Sequence, residues 1–372
     1  MEAICSPRPA VDASRGVPRD DAAALAGAAR AFTTRRVPRE VQRALVRERA
    51  PRPGDLVLVR IDRLGQHRRL HLPDGRRQNL FGGELAVVAY ADRYAPRQFE
   101  AIVPVDLSPC HLVASGGVAA EVVSAHDRVR RSATAVTPLG LVAREPGGDV
   151  LNLADFALEA PGAPSFETAP PVIAVLGTAM NSGKTTVAAH LARGLRRAGI
   201  QAGFAKVTGT GAAGDPFLLR DAGAQPVLDF SDAGHASTYR VSTAAIVDIV
   251  DTLIGHLAAA ATDVILLEVA DGCLQPETTE LMRHPAFRAR VDGVLFAAAD
   301  AMGAAYGADW IQRAGYDLLA ISGVLTAAPL QVREALYATG LPVVHTDKLL
   351  DPNEALKVLA PLGLHAVRSE AG

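Results

Sequence analysis

A glycine, a lysine and a threonine at positions 183–185 sit between an unbroken apolar run, Val172 to Leu176, and a stretch of helix-forming residues. That order suits phosphate binding. Successive backbone N–H groups of a tight turn converge on phosphate oxygens, and the helix N-terminus adds its positive dipole end. Lys184 then reaches the outer phosphates, and the Thr185 hydroxyl holds Mg²⁺. The expected contacts to a bound cofactor are Gly177, Thr178, Asn181, Ser182, Gly183, Lys184, Thr185 and Thr186. One position departs from the common G-x-x-x-x-G-K-[ST] pattern: Thr178 stands where glycine is usual, with Gly177 one residue earlier.

More charged residues follow apolar runs further along. Lys206 ends the run from Ala202 and precedes Thr208, Gly209, Thr210 and Gly211. A lysine there is placed to stabilise charge building up between a terminal phosphate and a substrate group. Glu268 ends the run VILLE, the arrangement called Walker B, from which a carboxylate orients Mg²⁺ or its water. Asp215 is a candidate further Mg²⁺ ligand, and equally a helix N-cap before Pro216. The expected catalytic set is Lys184, Lys206 and Glu268. The expected metal set is Thr185, Glu268 and Asp215, and substrate contacts are expected from Thr208, Thr210 and Asp271. Residues 228–239 are polar and long enough for a lid or substrate loop, with His235 a candidate acid–base group.

These residues need a scaffold. From Val172 onward, short apolar runs at 172–176, 202–206, 263–268, 292–297, 318–325 and 342–345 alternate with helical patterns. The helical patterns lie at 183–198, 242–260, 278–284, 302–314, 329–339 and 353–360. Continuous rather than alternating apolar strands indicate a sheet covered on both faces. The fold class is α/β: a C-terminal P-loop NTPase domain over 171–372, with a mostly parallel, doubly wound sheet. Ahead of it, strands at 55–61, 84–90, 98–105 and 138–143, spaced by turns, predict a small β-rich domain, barrel or sandwich, over 51–155. Arg93, Tyr94, Arg97 and Gln98 cluster in one of its loops, where they either bind a ligand or partner or form a polar hairpin loop. No catalytic constellation is evident there. Residues 156–170 are expected as a Pro-rich linker, and 1–50 as an Arg/Pro-rich flexible tail with short helices.

Composition narrows the class. The 372 residues carry a net charge of −2, which argues against bulk electrostatic binding of nucleic acid. Cys5, Cys110 and Cys273 are too few and too scattered for a disulfide framework or a metal cluster, which fits a reducing cytoplasm. No apolar run approaches the ~18–20 residues that span a membrane. Nearly every basic position is Arg. The few lysines include Lys184 and Lys206, where a compact ammonium suits phosphate chemistry.

The combination resembles dethiobiotin synthetase and the related cobyrinic acid amidases. Their loop has the form G-T-x-x-x-x-G-K-T, matched by Gly177, Thr178, Gly183, Lys184 and Thr185. Their second strand ends in K-P-V-x-S/T-G. Here the residues are Lys206, Val207, Thr208 and Gly209, without the proline. Their third strand carries a Mg²⁺-binding Glu, matched by Glu268, though the following residues differ. The loop also looks like that of the group including D-glutamate N-acetyltransferases, which likewise joins an N-terminal domain to a P-loop domain. The resemblance covers about 171–345.

It implies a Mg-ATP-dependent, ligase- or synthetase-like enzyme that activates a small carboxylate or carbamate by phosphoryl transfer. Its ligands would be ATP, Mg²⁺ and a small-molecule acceptor, and its assembly a homodimer. ATP is also the default nucleotide because no N-K-x-D is present to read guanine. Two alternatives stand beside it. One is an acyltransferase gripping coenzyme A with the loop; the other is a nucleotide-hydrolysing switch that docks a partner through its β-rich part.

Overall fold

The computed structural model describes residues 20–161 and 169–364. The start of the expected tail and the centre of the expected linker lie outside the described residues. Helix α1 (Asp21–Gly27) leads into strands β1 (Ala29–Arg30) and β2 (Ala44–Val46). Then follow β3 (Leu56–Arg63), β4 (Arg69–His71), β5 (Arg77–Asn79), β6 (Leu85–Tyr90) and β7 (Arg93–Tyr94). Strands β8 (Phe99–Ile102), β9 (Cys110–Ala114), β10 (Val118–Ala125) and β11 (Thr134–Ala143) complete this half. Strands β6, β3, β11, β9 and β10 pair in that order, and β10 pairs back onto β6, so the ladder closes into a ring. Its alternating residues fill two cores: Leu56 and Leu58 pack in one, Val57 and Val59 in the other.

Residues 20–50 contain an expected short helix, α1, capped by Asp20, but otherwise correct the expectation of a flexible tail. β1 pairs with β6, and β2 pairs with β11. Phe32, Val37 and Leu45 are buried. The helical spacing of Val41, Leu45 and Val46 predicts a helix over 39–49, but the structure has a single turn of 3₁₀ helix, Arg39–Val41, followed by β2. A sheet edge was available to Ala44–Val46, and ladder bonds with β11 outweigh a helical pattern only a few residues long.

In the second half, β12 (Val172–Gly177) runs into α2 (Lys184–Arg197), then β13 (Ala202–Lys206). Next come α3 (Gly214–Ala222), β14 (Val227–Asp229), α4 (Thr243–Ala259), β15 (Val264–Glu268), α5 (Pro276–Arg283) and α6 (Pro285–Arg288). Finally come β16 (Gly293–Ala297), α7 (Ala301–Arg313), β17 (Leu318–Ser322), α8 (Pro329–Thr339) and α9 (Pro352–Leu359). The strand order is β14-β13-β15-β12-β16-β17, with every pairing parallel. Val172, Ala174 and Leu176 face one core, and Ile173 and Val175 face the other. This is a P-loop-type α/β sheet with helices on both faces, and β12 sits at its centre.

Two ends differ from expectation. β17 stops at Ser322 and gives way to a 3₁₀ turn, Val324–Ala327, because Gly323 takes a left-handed φ of 98°. Residues 342–345 form no strand, only a bridge between Ile321 and Val343. Among the described residues, no helix is long and apolar enough to cross a membrane.

Candidate functional site

The parallel register brings the charged strand ends together. Val175 pairs with Glu268, and Glu268 pairs with Lys206, so the phosphate loop, the glutamate and the lysine leave the sheet side by side. The loop that follows β12 is shaped by contacts a side chain would break. A Cβ on Gly177 would stand 2.3 Å from Ser182 Oγ and 2.9 Å from the Ala297 carbonyl. Glycine is therefore required at 177, one residue earlier than in the common pattern. Thr178 at the usual glycine position is accommodated: its N–H donates to Ala297, and its hydroxyl accepts from the Ala299 N–H at 3.2 Å. Asn181 and Gly183 hold left-handed φ values of 67° and 103°, which turn the chain into α2.

Lys184 is buried and points back across its own loop. Its Nζ donates to the carbonyls of Ala179 (2.9 Å) and Asp271 (2.6 Å). Burial lowers its pKa, against the pull of Glu268 and Asp271. No carboxylate pairs with it directly among the described residues, so its charge is available to an anion. Thr185 Oγ1 donates to Glu268 Oε1 at 3.2 Å. Glu268 is 1% exposed, and its Oε2 is buried without a partner. Asp271 takes a left-handed φ of 62°, unusual for a non-glycine, and burial raises its pKa.

Lys206 is engaged from two sides. Its Nζ lies 3.2 Å from Glu268 Oε1 and makes a short contact with Asp215. Burial alone would lower its pKa, but Asp215 and Glu268 together push it up. Lys206 in turn holds the Asp215 carboxyl below the usual carboxylate range. Asp215 lies in the first turn of α3, whose N-cap is Ala213, so it is not the N-cap.

The other expected residues divide. Thr210 lines the cavity beside the loop, and Thr186 does so too. Thr208 is buried, with its hydroxyl accepting the Ala270 N–H at 2.8 Å; it ties two strand ends together. Ser182 Oγ is buried without a partner beneath the loop. His235 is outside the cavity lining, and burial lowers its pKa.

The segment expected as a lid is corrected. β14 and the residues after it are packed against the N-terminal half. Arg35 pairs with Asp229 (3.0 Å) and Asp232 (2.7 Å), and Tyr239 donates to Glu100 at 2.9 Å. Asp229, Phe230, Ser231 and Asp232 are all buried. The polarity that reads as a solvent loop serves an interface instead, since buried carboxylates require partners.

The cavity itself is about 500 Å³, within the range of small-ligand sites. Lys184, Thr185, Lys206 and Glu268 line it from the parallel sheet. Arg93, Tyr94 and Gln98 line it from the N-terminal half, which the sequence leaves without a catalytic group. Their only sequence signal is their clustering in one loop.

No protein-family model and no curated protein matches the chain. Solved structures do. The signal recognition particle receptor FtsY from Elizabethkingia anophelis, in complex with GDP, is 19% identical, with a TM-score of 0.37; the match covers 57% of this chain and 71% of that one. The signal recognition particle 54 kDa protein from Aeropyrum pernix, also in complex with GDP, is 16% identical at a TM-score of 0.36; coverage is 57% of this chain and 53% of that one. FtsY from Thermotoga maritima is 19% identical at a TM-score of 0.37, with coverage of 56% and 73%. The resemblance to dethiobiotin synthetase does not carry over into these matches, which are signal recognition particle proteins. The expectation of an ATP-dependent ligase or synthetase is corrected accordingly.

Proposed function

We propose that this chain binds a nucleoside polyphosphate at the loop Gly177–Thr186 and hydrolyses it slowly, as a switch whose state is passed to the N-terminal β-sheet. One observation carries the reading. The phosphate cavity is walled by Lys184 and Thr185 on one side and by Arg93 and Tyr94 of the other sheet, so whatever fills it touches both. Such shared walls make the packing of the two sheets depend on the ligand.

In this reading the loop amides and Lys184 bind the phosphate chain, and most of the rate enhancement is positioning and electrostatics. Thr185 and Glu268 would hold Mg²⁺, with phosphate oxygens completing its shell. The orphaned Glu268 Oε2 beside the Thr185 hydroxyl fits that role. When bound, the ion neutralises charge on the phosphates. Asp215 is assigned to Lys206 rather than to the ion, because it makes the shorter of that lysine's two carboxylate contacts, whereas Glu268 keeps Oε2 unpartnered. Water and phosphate oxygens would supply the ion's remaining ligands. The base is left open between ATP and GTP, since two of the structures compared above contain GDP.

The test is titration calorimetry with ATP, GTP and coenzyme A, each with and without Mg²⁺, followed by phosphate release. The reading expects Mg²⁺-dependent binding of ATP or GTP and slow phosphate release without any small-molecule acceptor. Lys184→Ala should cut affinity at least tenfold, since a hydrogen bond to a charged group contributes about 1.5–3 kcal/mol. Binding of coenzyme A alone, or of none of the three, would overturn it.

A further inference from the structure

Arg93 is an odd residue to bury. It is 6% exposed, and its guanidinium meets only neutral groups: His67 Nε2 at 3.0 Å and Gln98 Oε1, which accepts from it at 2.8 Å. Its Nε has no partner at all. Among the described residues no carboxylate lies within ion-pair distance of it. His67 offers no compensation, since burial and then the Arg93 charge lower its pKa to about 3, so the imidazole is neutral. Burying an unpaired cation is costly, and arginine cannot escape by losing its proton. Burial lowers its pKa to about 10, with the more distant Asp271 charge opposing the shift, so the guanidinium stays charged.

The charge lines the same cavity as Lys184 and Thr185, but comes from the N-terminal half of the chain. The loop amides and Lys184 approach a phosphate chain from the start of α2. Gly209, Thr210 and Asp271, beyond the ends of β13 and β15, line the cavity together with Arg93. A planar fork held only by neutral groups suits an oxyanion with several exposed oxygens, and a terminal phosphate has three.

We propose that Arg93 is the ligand of the terminal phosphate, so that the N-terminal β-sheet distinguishes a nucleoside triphosphate from a diphosphate. This inference rests on the nucleotide reading above. It makes Arg93 a specificity-determining residue and gives the β-sheet its means of sensing hydrolysis: loss of the terminal phosphate strands a buried cation, and the loop Arg93–Gln98 must adjust. Arg93 would act in the same chain as the phosphate loop, as arginines do that stabilise charge on a transferring phosphoryl group.

The experiment compares binding of non-hydrolysable triphosphate analogues and diphosphates of adenosine and guanosine in the full chain. Wild type and Arg93→Ala are measured by calorimetry. Arg93→Ala should weaken the triphosphate analogue at least tenfold and leave the diphosphate within twofold. Because removing a buried arginine can disturb folding, Gln98→Glu is the companion variant. It sets a carboxylate against the guanidinium, satisfies its charge and should erase the preference for triphosphate without loss of fold. An unchanged triphosphate-to-diphosphate ratio in either folded variant overturns the assignment. Equal weakening of both nucleotides does so too, since it would mean a general effect on the cavity. Failure of wild type to bind any nucleotide would instead overturn the function proposed above.

Discussion

Lys206 and Glu268 are register partners on adjacent parallel strands, and their side chains meet at 3.2 Å beside the phosphate loop. The glutamate also accepts from Thr185, so one carboxylate joins two strand ends and the start of α2. Lys206→Met would leave Glu268 and Asp215 without their cation. Breaking a buried pair from one side costs about 3–5 kcal/mol. Urea denaturation should show that loss. Lys206→Met combined with Glu268→Gln should lose less than the sum of the single changes, because the orphaned charge is gone. Strict additivity would show that the two do not interact in the folded protein.

Asp215 gives this cluster its pH dependence. Lys206 depresses its pKa below the usual carboxylate range. Its contribution to stability is therefore fully present above the ordinary carboxylate pKa and is lost as pH falls through the depressed folded value. Thermal melts at successively lower pH should show wild type losing stability in that acid window. Asp215→Asn should start lower at neutral pH and have a flatter acid slope. Parallel slopes would remove Asp215 from the account.

Arg35 holds the segment after β14 onto the N-terminal half through Asp229 and Asp232. Burial, and then Asp229, raise the Asp232 pKa even with the arginine present. Arg35→Ala should destabilise by about 3–5 kcal/mol at neutral pH, since two buried carboxylates lose their cation. A raised carboxyl pKa means that the folded state binds more protons, so stability falls as pH rises above the ordinary carboxylate value. The penalty of Arg35→Ala should accordingly shrink on acidification. A penalty that grows towards low pH would contradict this assignment.

Gly177 is tested by adding one methyl group. In Gly177→Ala the Cβ would meet Ser182 Oγ at 2.3 Å and the Ala297 carbonyl at 2.9 Å. The loop must shift, at a cost of about 1–3 kcal/mol. Nucleotide affinity should fall at least tenfold, while melting changes by only a few degrees. Affinity within twofold of wild type would show that the loop tolerates a side chain there.

The phosphate loop was legible because its determinants are local. An apolar run, a glycine turn and a helix start are consecutive in the chain, and Lys206 and Glu268 each end an apolar run of their own. Parallel pairing then requires strand ends to gather at one edge, so their proximity follows from the pattern. Beyond the short helix α1, residues 28–50 and 228–239 were misread for the opposite reason. Their polar and short apolar stretches carry local patterns too brief to decide an element, and their partners are far along the chain, as with Arg35 and Asp229.

By itself, then, the amino-acid sequence determined the parallel sheet, the loop at its centre and the residues that end its strands, since period and spacing are properties of the chain alone. Only the tertiary structure decided that Lys206 is neutralised by two carboxylates, that the supposed lid is a packed interface, and that Arg93 enters the phosphate cavity. Each of these depends on which groups share a low-dielectric space, and a buried charge acquires its meaning only from the neighbours that do or do not balance it.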